Sequence, residues 1–252
     1  MSAGVGIDGL WRFEPMLDDR RSPLELPKLV FVPPDGCADL MLRFSGGLLC
    51  EAVVIQPAEH YEVVSVAPSD ALFGVRFQLG FGGACVRQRE LVERELARRF
   101  TGADPRNLDR VHADLADAAT SFVERWCGAR ADWLEPALGE LQRRRGNVPV
   151  AELARGVGVT ERTLHRGFVE WVGASPKLLS RTLRSRAAVE LACGTEALVE
   201  VAAELGYADQ AHLSRELREL WGVTPAGVRR RLAGPGGVVM SDFFKTPLPP
   251  AP

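Results

Sequence analysis

The feature that most constrains this chain is a duplication in its C-terminal part. Residues 150–168 (VAELARGVGVTERTLHRGF) and residues 197–217 (ALVEVAAELGYADQAHLSREL) carry one pattern twice, with Asp209 standing 49 residues after Thr160. In the first copy Val150, Leu153 and Ala154 make the apolar face of a short helix. The run Gly156-Val-Gly-Val159 then turns the chain, glycine supplying backbone conformations that other residues avoid. Thr160 is a good N-cap for a second helix whose inward residues are Leu164 and Phe168. In the second copy Val201, Ala202 and Leu205 form the apolar face, Gly206 turns, Asp209 caps, and Leu213 and Leu217 point inward. The copies end alike, Trp171-Val-Gly-Ala-Ser-Pro176 and Trp221-Gly-Val-Thr-Pro225, each with a hydroxyl cap followed by Pro at the first position of another helix.

This spacing turns Arg162, Thr163, His165 and Arg166 outward in the first unit, and Gln210, Ala211, Ser214 and Arg215 in the second. A short helix, a glycine turn and a capped second helix with a basic outer face form the helix-turn-helix signature. The whole stretch 132–232 reads as seven helices, at about 132–144, 149–156, 160–171, 175–193, 197–205, 209–220 and 224–231. Arg166 and Arg215 hold matching places, and each either faces outward for contact or bridges to an acidic neighbour in its own helix. The basic runs 143–145 and 229–231 sit at helix C-termini, where positive charge is favourable, and read as solvated faces.

Residues of about 132–232 resemble the DNA-binding domain of AraC/XylS-type transcriptional regulators. The resemblance rests on Ala202-Ala-Glu-Leu-Gly206-Tyr207, Leu213-Ser-Arg215-Glu-Leu217, Gly222-Val-Thr-Pro225 and Arg229, with Tyr207, Leu213 and Leu217 where the family pattern has Phe. It implies that the long helix 175–193 links two reading helices, which enter adjacent major-groove segments about 34 Å apart. It implies base-facing positions for Arg162, His165, Arg166, Gln210, Ala211, Ser214 and Arg215. Arg162 or Arg166 would then pair with guanine, Gln210 with adenine, and Ala211 offer a methyl contact to thymine. Thr163, Arg181 and Arg184 are the corresponding phosphate candidates, which set register without reading sequence. Double-stranded promoter DNA is the implied partner; a small-molecule effector, RNA polymerase and a second copy of the chain are the further ones.

Net charge alone points the other way. The 252 residues carry a formal charge of only −2. Residues 1–145 hold 18 Lys and Arg against 22 Asp and Glu, whereas residues 146–252 hold 13 against 11, so the helical half is the positive one. Arg outnumbers Lys 28 to 3, which suits bidentate contact with phosphate or guanine and also fits a genome-wide composition bias. Residues 1–30 contain Asp8, Glu14, Asp18 and Asp19 and no apolar run of signal-peptide length, and no stretch is long enough to span a bilayer. Five scattered cysteines without a C-x-x-C pair fit reduced thiols. A cytoplasmic chain without membrane contact is expected.

The first hundred residues read as β-rich, with strands at 29–32, 38–44, 48–55, 62–66 and 72–78 punctuated by Pro and Gly, and helices follow from Val86, with Val92, Leu96 and Phe100 on one face, and over 108–126. Pro34-Asp-Gly-Cys-Ala-Asp-Leu40 and Leu72-Phe-Gly-Val-Arg-Phe77 resemble the β-rich N-terminal domain found upstream of many AraC-type regulators, with Leu79 where a Pro is usual. That resemblance implies a small cupin-like barrel that senses a ligand, dimerises, or both. Asp35, Cys37, Asp39 and Arg76 are the candidate ligand residues; Arg76 serves either an anionic ligand or a buried carboxylate such as Asp35 or Asp39. A metal-dependent cupin needs a His-x-His set, and His60 stands alone in the β region, so no metal, no cofactor and no catalytic residue is assigned.

The expected fold class is α+β: a β-rich cupin-like barrel or sandwich with following helices over 1–128, an all-α tandem helix-turn-helix domain over 129–233, and a disordered tail over 234–252. The expected function is sequence-specific transcriptional regulation rather than catalysis. The competing reading is a metal- or small-ligand-binding cupin-like protein whose helical half mediates protein contacts.

Overall fold

A computed structural model of the chain describes residues 6–13, 28–192, 194 and 197–227. The expected tail, Arg229–Arg231, Cys193 and all but the start of the seventh helix lie outside the described residues. The N-terminal part is built on a four-stranded antiparallel sheet in the order β1 (Ile7–Phe13), β6 (Asp70–Phe77), β3 (Asp39–Ser45), β4 (Leu48–Ile55). A second, two-stranded antiparallel sheet pairs β2 (Lys28–Val32) with β5 (Glu62–Val66). The expectation left barrel and sandwich open; among the described residues the strands form two separately hydrogen-bonded sheets and not one closed barrel.

Strand alternation decides which face each side chain serves. Leu40, Leu42 and Phe44 of β3 and Phe73, Val75 and Phe77 of β6 are all fully buried. They meet Val92, Leu96 and Phe100 of α2 (Arg89–Phe100) and Val111, Leu115 and Phe122 of α3 (Leu108–Trp126) in one core. The short helix α1 (Gly83–Arg87) leads into α2. The opposite face of the sheet carries Trp11, Met41 and Leu72, which pack against Val64 and Val66 of the small sheet. Strand β1 escaped the sequence reading because Asp8 and Gly9 weaken its β pattern, and its place is set by pairing with the central strand β6.

The C-terminal part begins at α4 (Leu134–Arg143) and continues through α5 (Val150–Gly156), α6 (Glu161–Gly167), α7 (Pro176–Ala192), α8 (Leu198–Glu204) and α9 (Gln210–Trp221). A helical turn opens again at residues 225–227, where Thr224 Oγ1 accepts from Gly227 N–H at 3.0 Å. The expected single helix 160–171 is α6 followed by a wider π-helical turn at Phe168–Val172. Two apolar cores divide this part: Leu134, Leu153, Leu164, Phe168 and Leu179 form one, and Val201, Tyr207, Leu213, Leu217 and Trp221 the other. Helix α7 runs from the first into the second, contributing Leu179 and Leu183 and then Ala187 to Val189. Among the described residues no helix is long and apolar enough to cross a membrane, and no group of three or more His, Cys, Asp or Glu is placed to hold a metal ion. Cys37, Cys50, Cys85 and Cys127 are free thiols.

Candidate nucleic-acid interface

The first unit is built from its cap outward. Thr160 Oγ1 accepts from Thr163 N–H at 3.1 Å and satisfies one of the free donors at the start of α6. Leu164 and Phe168, both fully buried, anchor that helix on Leu153 and Ala154 of α5. With that face fixed, Arg162, His165 and Arg166 must face outward, and all three are exposed. They line a shallow surface depression with Val169, which is 43% exposed. Thr163 is half-buried, its hydroxyl 2.9 Å from that of Thr160.

The second unit repeats the construction with different chemistry. Asp209 accepts from His212 N–H at 2.6 Å, a charged cap at the positive end of α9. Leu213, Leu217 and Trp221 are fully buried and Tyr207 nearly so, so the residues standing where the family pattern has Phe keep their core positions. Gln210, Ala211 and Arg215 are exposed and Ser214 is half-buried. His212 stacks edge-on against Tyr207 at 5.3 Å, which turns it to structure rather than contact. Arg218 is a further outward residue that the sequence reading passed over. It lies one turn beyond Ser214 on the same face of α9 and is exposed; the signal was its spacing from Ser214 and Arg215.

Apart from the outward arginines, most arginines of the helical half are paired, although exposed Arg155 of α5 has no carboxylate within ion-pair distance among the described residues. Arg143 pairs with Glu140 at 2.7 Å, Arg144 with Glu152, and Arg145 with Glu204 at 3.3 Å, so the run 143–145 is neutralised locally. Among the described residues none of Arg162, Arg166, Arg215 and Arg218 has a carboxylate within ion-pair distance. Arg181 and Arg184, expected at phosphates, are engaged differently. Arg181 pairs with Glu219 at 2.8 Å and Glu216 at 3.6 Å. Arg184 reaches Glu216 at 3.0 Å and lies 4.5 Å over the Tyr207 ring, whose hydroxyl donates to Glu216 at 3.2 Å. Carboxylates that face α7 from α9 pair with both guanidiniums, so this polar cluster holds α9 on α7.

The four ligand candidates of the first half do converge, as a buried group in which one guanidinium lies between two carboxylates. Cross-strand register sets Asp39 of β3 opposite Arg76 of β6. Arg76 Nε lies 3.1 Å from Asp39, and its guanidinium reaches Asp35 at 2.5 Å. Trp11 Nε1 donates to Asp39 at 2.9 Å, and Cys37 N–H donates to Asp35 at 2.9 Å. Burial pushes the Asp35 carboxyl up, to about 6, against the pull of Arg76, and burial likewise pushes the Cys37 thiol up. Arg186 of α7 adds a weaker attraction on Asp35. The same loop packs Gly36 on Leu179 of α7, where an added Cβ would come within 2.6 Å of a Leu179 methyl. The cluster therefore sits at the junction of the β-rich part and the connecting helix, with Arg76 holding both carboxylates and Arg186 adding positive charge from α7.

Comparison with known proteins bears on the helical half. A family model described as a helix-turn-helix domain matches residues 153–231. No curated protein matches the chain. A solved transcriptional regulator from Chromobacterium violaceum, of the AraC-type DNA-binding domain-containing proteins, aligns at 25% identity over 41% of this chain and 95% of its own, with a TM-score of 0.38. The C-terminal domain of AraT, a response regulator from Geobacillus stearothermophilus, aligns at 23% identity over 40% of this chain and 85% of its own, with a TM-score of 0.38. ToxT from Vibrio cholerae aligns at 12% identity over 86% of this chain and 95% of its own, with a TM-score of 0.43.

Proposed function

We propose, on the premise that residues 153–231 match a helix-turn-helix domain, that the protein is a sequence-specific regulator of transcription of the AraC type whose α6 and α9 read adjacent major-groove segments of promoter DNA. The observation that carries this reading is the set of exposed guanidiniums without carboxylate partners among the described residues, Arg162 and Arg166 on α6 and Arg215 and Arg218 on α9, in a region whose other arginines are largely paired. A guanidinium left open on an outward helix face is ready for guanine edges or phosphate oxygens. Gln210 supplies an amide suited to adenine, Ala211 a methyl, and His165 and Ser214 further polar contacts. Thr163 serves a phosphate, and Arg181 and Arg184 serve DNA indirectly by holding α9. The β-rich part modulates this activity in the cytoplasm. An effector, RNA polymerase and a second copy of the chain are the partners through which it acts, and the Asp35–Asp39–Arg76 cluster is the structural seat of its contact with α7 rather than a ligand pocket.

The test is fluorescence anisotropy of the full chain against duplexes from upstream of its own gene. The logarithm of affinity is expected to fall linearly with the logarithm of salt concentration, with a slope of about −0.9 per phosphate neutralised. Random-sequence duplexes are expected to bind far more weakly, because the whole chain carries a formal charge of only −2 and non-specific attraction is small. Equal affinity for promoter and random duplexes contradicts the proposal.

A further inference from the structure

Each reading helix ends at an equivalent glycine. Gly173 closes the turn after α6 with φ 83°, and Gly222 closes α9 with φ 62°, left-handed conformations that non-glycine residues enter only with strain. The two stand 49 residues apart, the same offset that relates the caps Thr160 and Asp209. One loop of the β-rich part, the segment between β4 and β5, approaches both, standing beside Gly173 together with Val86 and Gly83 of α1 and packing tightly on Gly222. Pro57, buried, lies 3.5 Å from where a Cβ on Gly173 would stand. Four residues on, Tyr61 N–H donates to the Leu220 carbonyl in the last turn of α9 at 2.8 Å. The Tyr61 ring lies flush on Gly222, so close that an added Cβ would come within 2.3 Å of it. The first corner is gripped further by α1: Gly83 abuts the backbone of Glu170 and Trp171, and the Arg87 guanidinium donates to the Glu170 carbonyl.

Within the helical half the two units are joined by α7, by Arg145 with Glu204, and by the close approach of Asn147 to Gly206. The loop adds a brace from outside that half, footed on the same structural corner of both units. We propose that Pro57–Tyr61 sets the separation and angle of the two reading helices, and so determines how many base pairs may lie between the two DNA blocks the protein accepts. Tyr61 is the positioning residue, acting through Leu220 and Gly222 and touching no base. This rests on the reading of α6 and α9 as DNA-reading helices. The physical leverage is direct: one inserted base pair moves the second block by about 3.4 Å and turns it by about a tenth of a helical turn, which a braced pair of helices cannot follow and a hinged pair can.

The experiment takes the duplex that the wild-type full chain selects from a randomised pool and inserts or deletes one base pair between its two recognised blocks. The wild type is expected to lose affinity about tenfold or more on either change, the scale of one lost base contact. Tyr61→Ala is expected to bind the altered spacings within about threefold of the selected one, its discrimination lost while base preference inside each block is kept. Tyr61→Phe, which retains the ring on Gly222 that Tyr61→Ala removes while both keep the backbone donor to Leu220, is expected to restore the wild-type ratio. Thermal unfolding of the three chains shows whether Tyr61→Ala stays folded, and Pro57→Ala gives a second, independent loosening of the brace. If Tyr61→Ala and Pro57→Ala both keep the wild-type spacing ratio, the brace is refuted while the DNA reading stands. If the wild type selects no sequence from the pool, the DNA reading fails and the brace fails with it.

Discussion

Replacing Trp221 by Ala is expected to cost about 3–5 kcal/mol of unfolding free energy, the range for truncating a fully buried aromatic side chain. Trp221 is 0% exposed and is the largest side chain in the core formed by α7, α8 and α9. Its indole N–H donates to Ser185 Oγ on α7 at 3.0 Å, so the ring both fills the second unit and fastens α9 to the connecting helix. Truncation would leave a cavity and remove the bond that fastens α9 to Ser185, whose hydroxyl still donates to the Thr182 carbonyl at 2.9 Å. The check is the urea midpoint at unchanged m-value. Ser185→Ala, which removes the bond accepted from the indole and the one donated to the Thr182 carbonyl, is expected to cost about 1–3 kcal/mol. A Trp221→Ala loss below about 1 kcal/mol would mean that the second unit does not depend on this ring.

Arg76→Met is expected to be of similar size, about 3–5 kcal/mol, because it removes the cation from a buried group and leaves two carboxylates facing each other. Arg76 is 7% exposed and answers Asp35 at 2.5 Å and Asp39 at 3.1 Å. The triple variant Asp35→Asn, Asp39→Asn, Arg76→Met is expected to recover much of that loss, since no charge is then left buried without a counter-charge. The contrast between single and triple variants in thermal or urea unfolding is the diagnostic. A single variant as stable as the wild type would place Asp35 and Asp39 in water instead. The triple variant also probes the junction with α7, where Gly36 packs on Leu179.

Local signals were legible in the sequence, and long-range pairing was not. Thr160 and Asp209 cap α6 and α9 as their positions imply, and Val92, Leu96 and Phe100 share one buried face at helical spacing. These are facts about neighbours within a turn or two. Strand β1 was missed because Ile7–Phe13 is a strand by virtue of β6, which lies more than fifty residues away. Arg181 and Arg184 invited a phosphate role because Glu216 and Glu219, which take them, belong to a helix two elements later. The sequence offered Asp35 or Asp39 as a buried partner of Arg76 beside an anionic ligand, and the register of β3 on β6 is what brings Asp39 opposite Arg76. The contact of Tyr61 with Gly222 depends on how the β-rich and helical parts dock, for which neither residue carries a local sign.

The account turns on two helices reading two blocks of one duplex, and selection from a randomised duplex pool measures that directly. The full chain is predicted to enrich sequences with two preferred blocks centred about one helical turn, roughly ten base pairs, apart. Arg166→Ala is predicted to erase preference at one position of one block and Arg215→Ala at one position of the other, each worth about 1–3 kcal/mol of discrimination. A single enriched block, or both substitutions acting on the same block, would contradict the account.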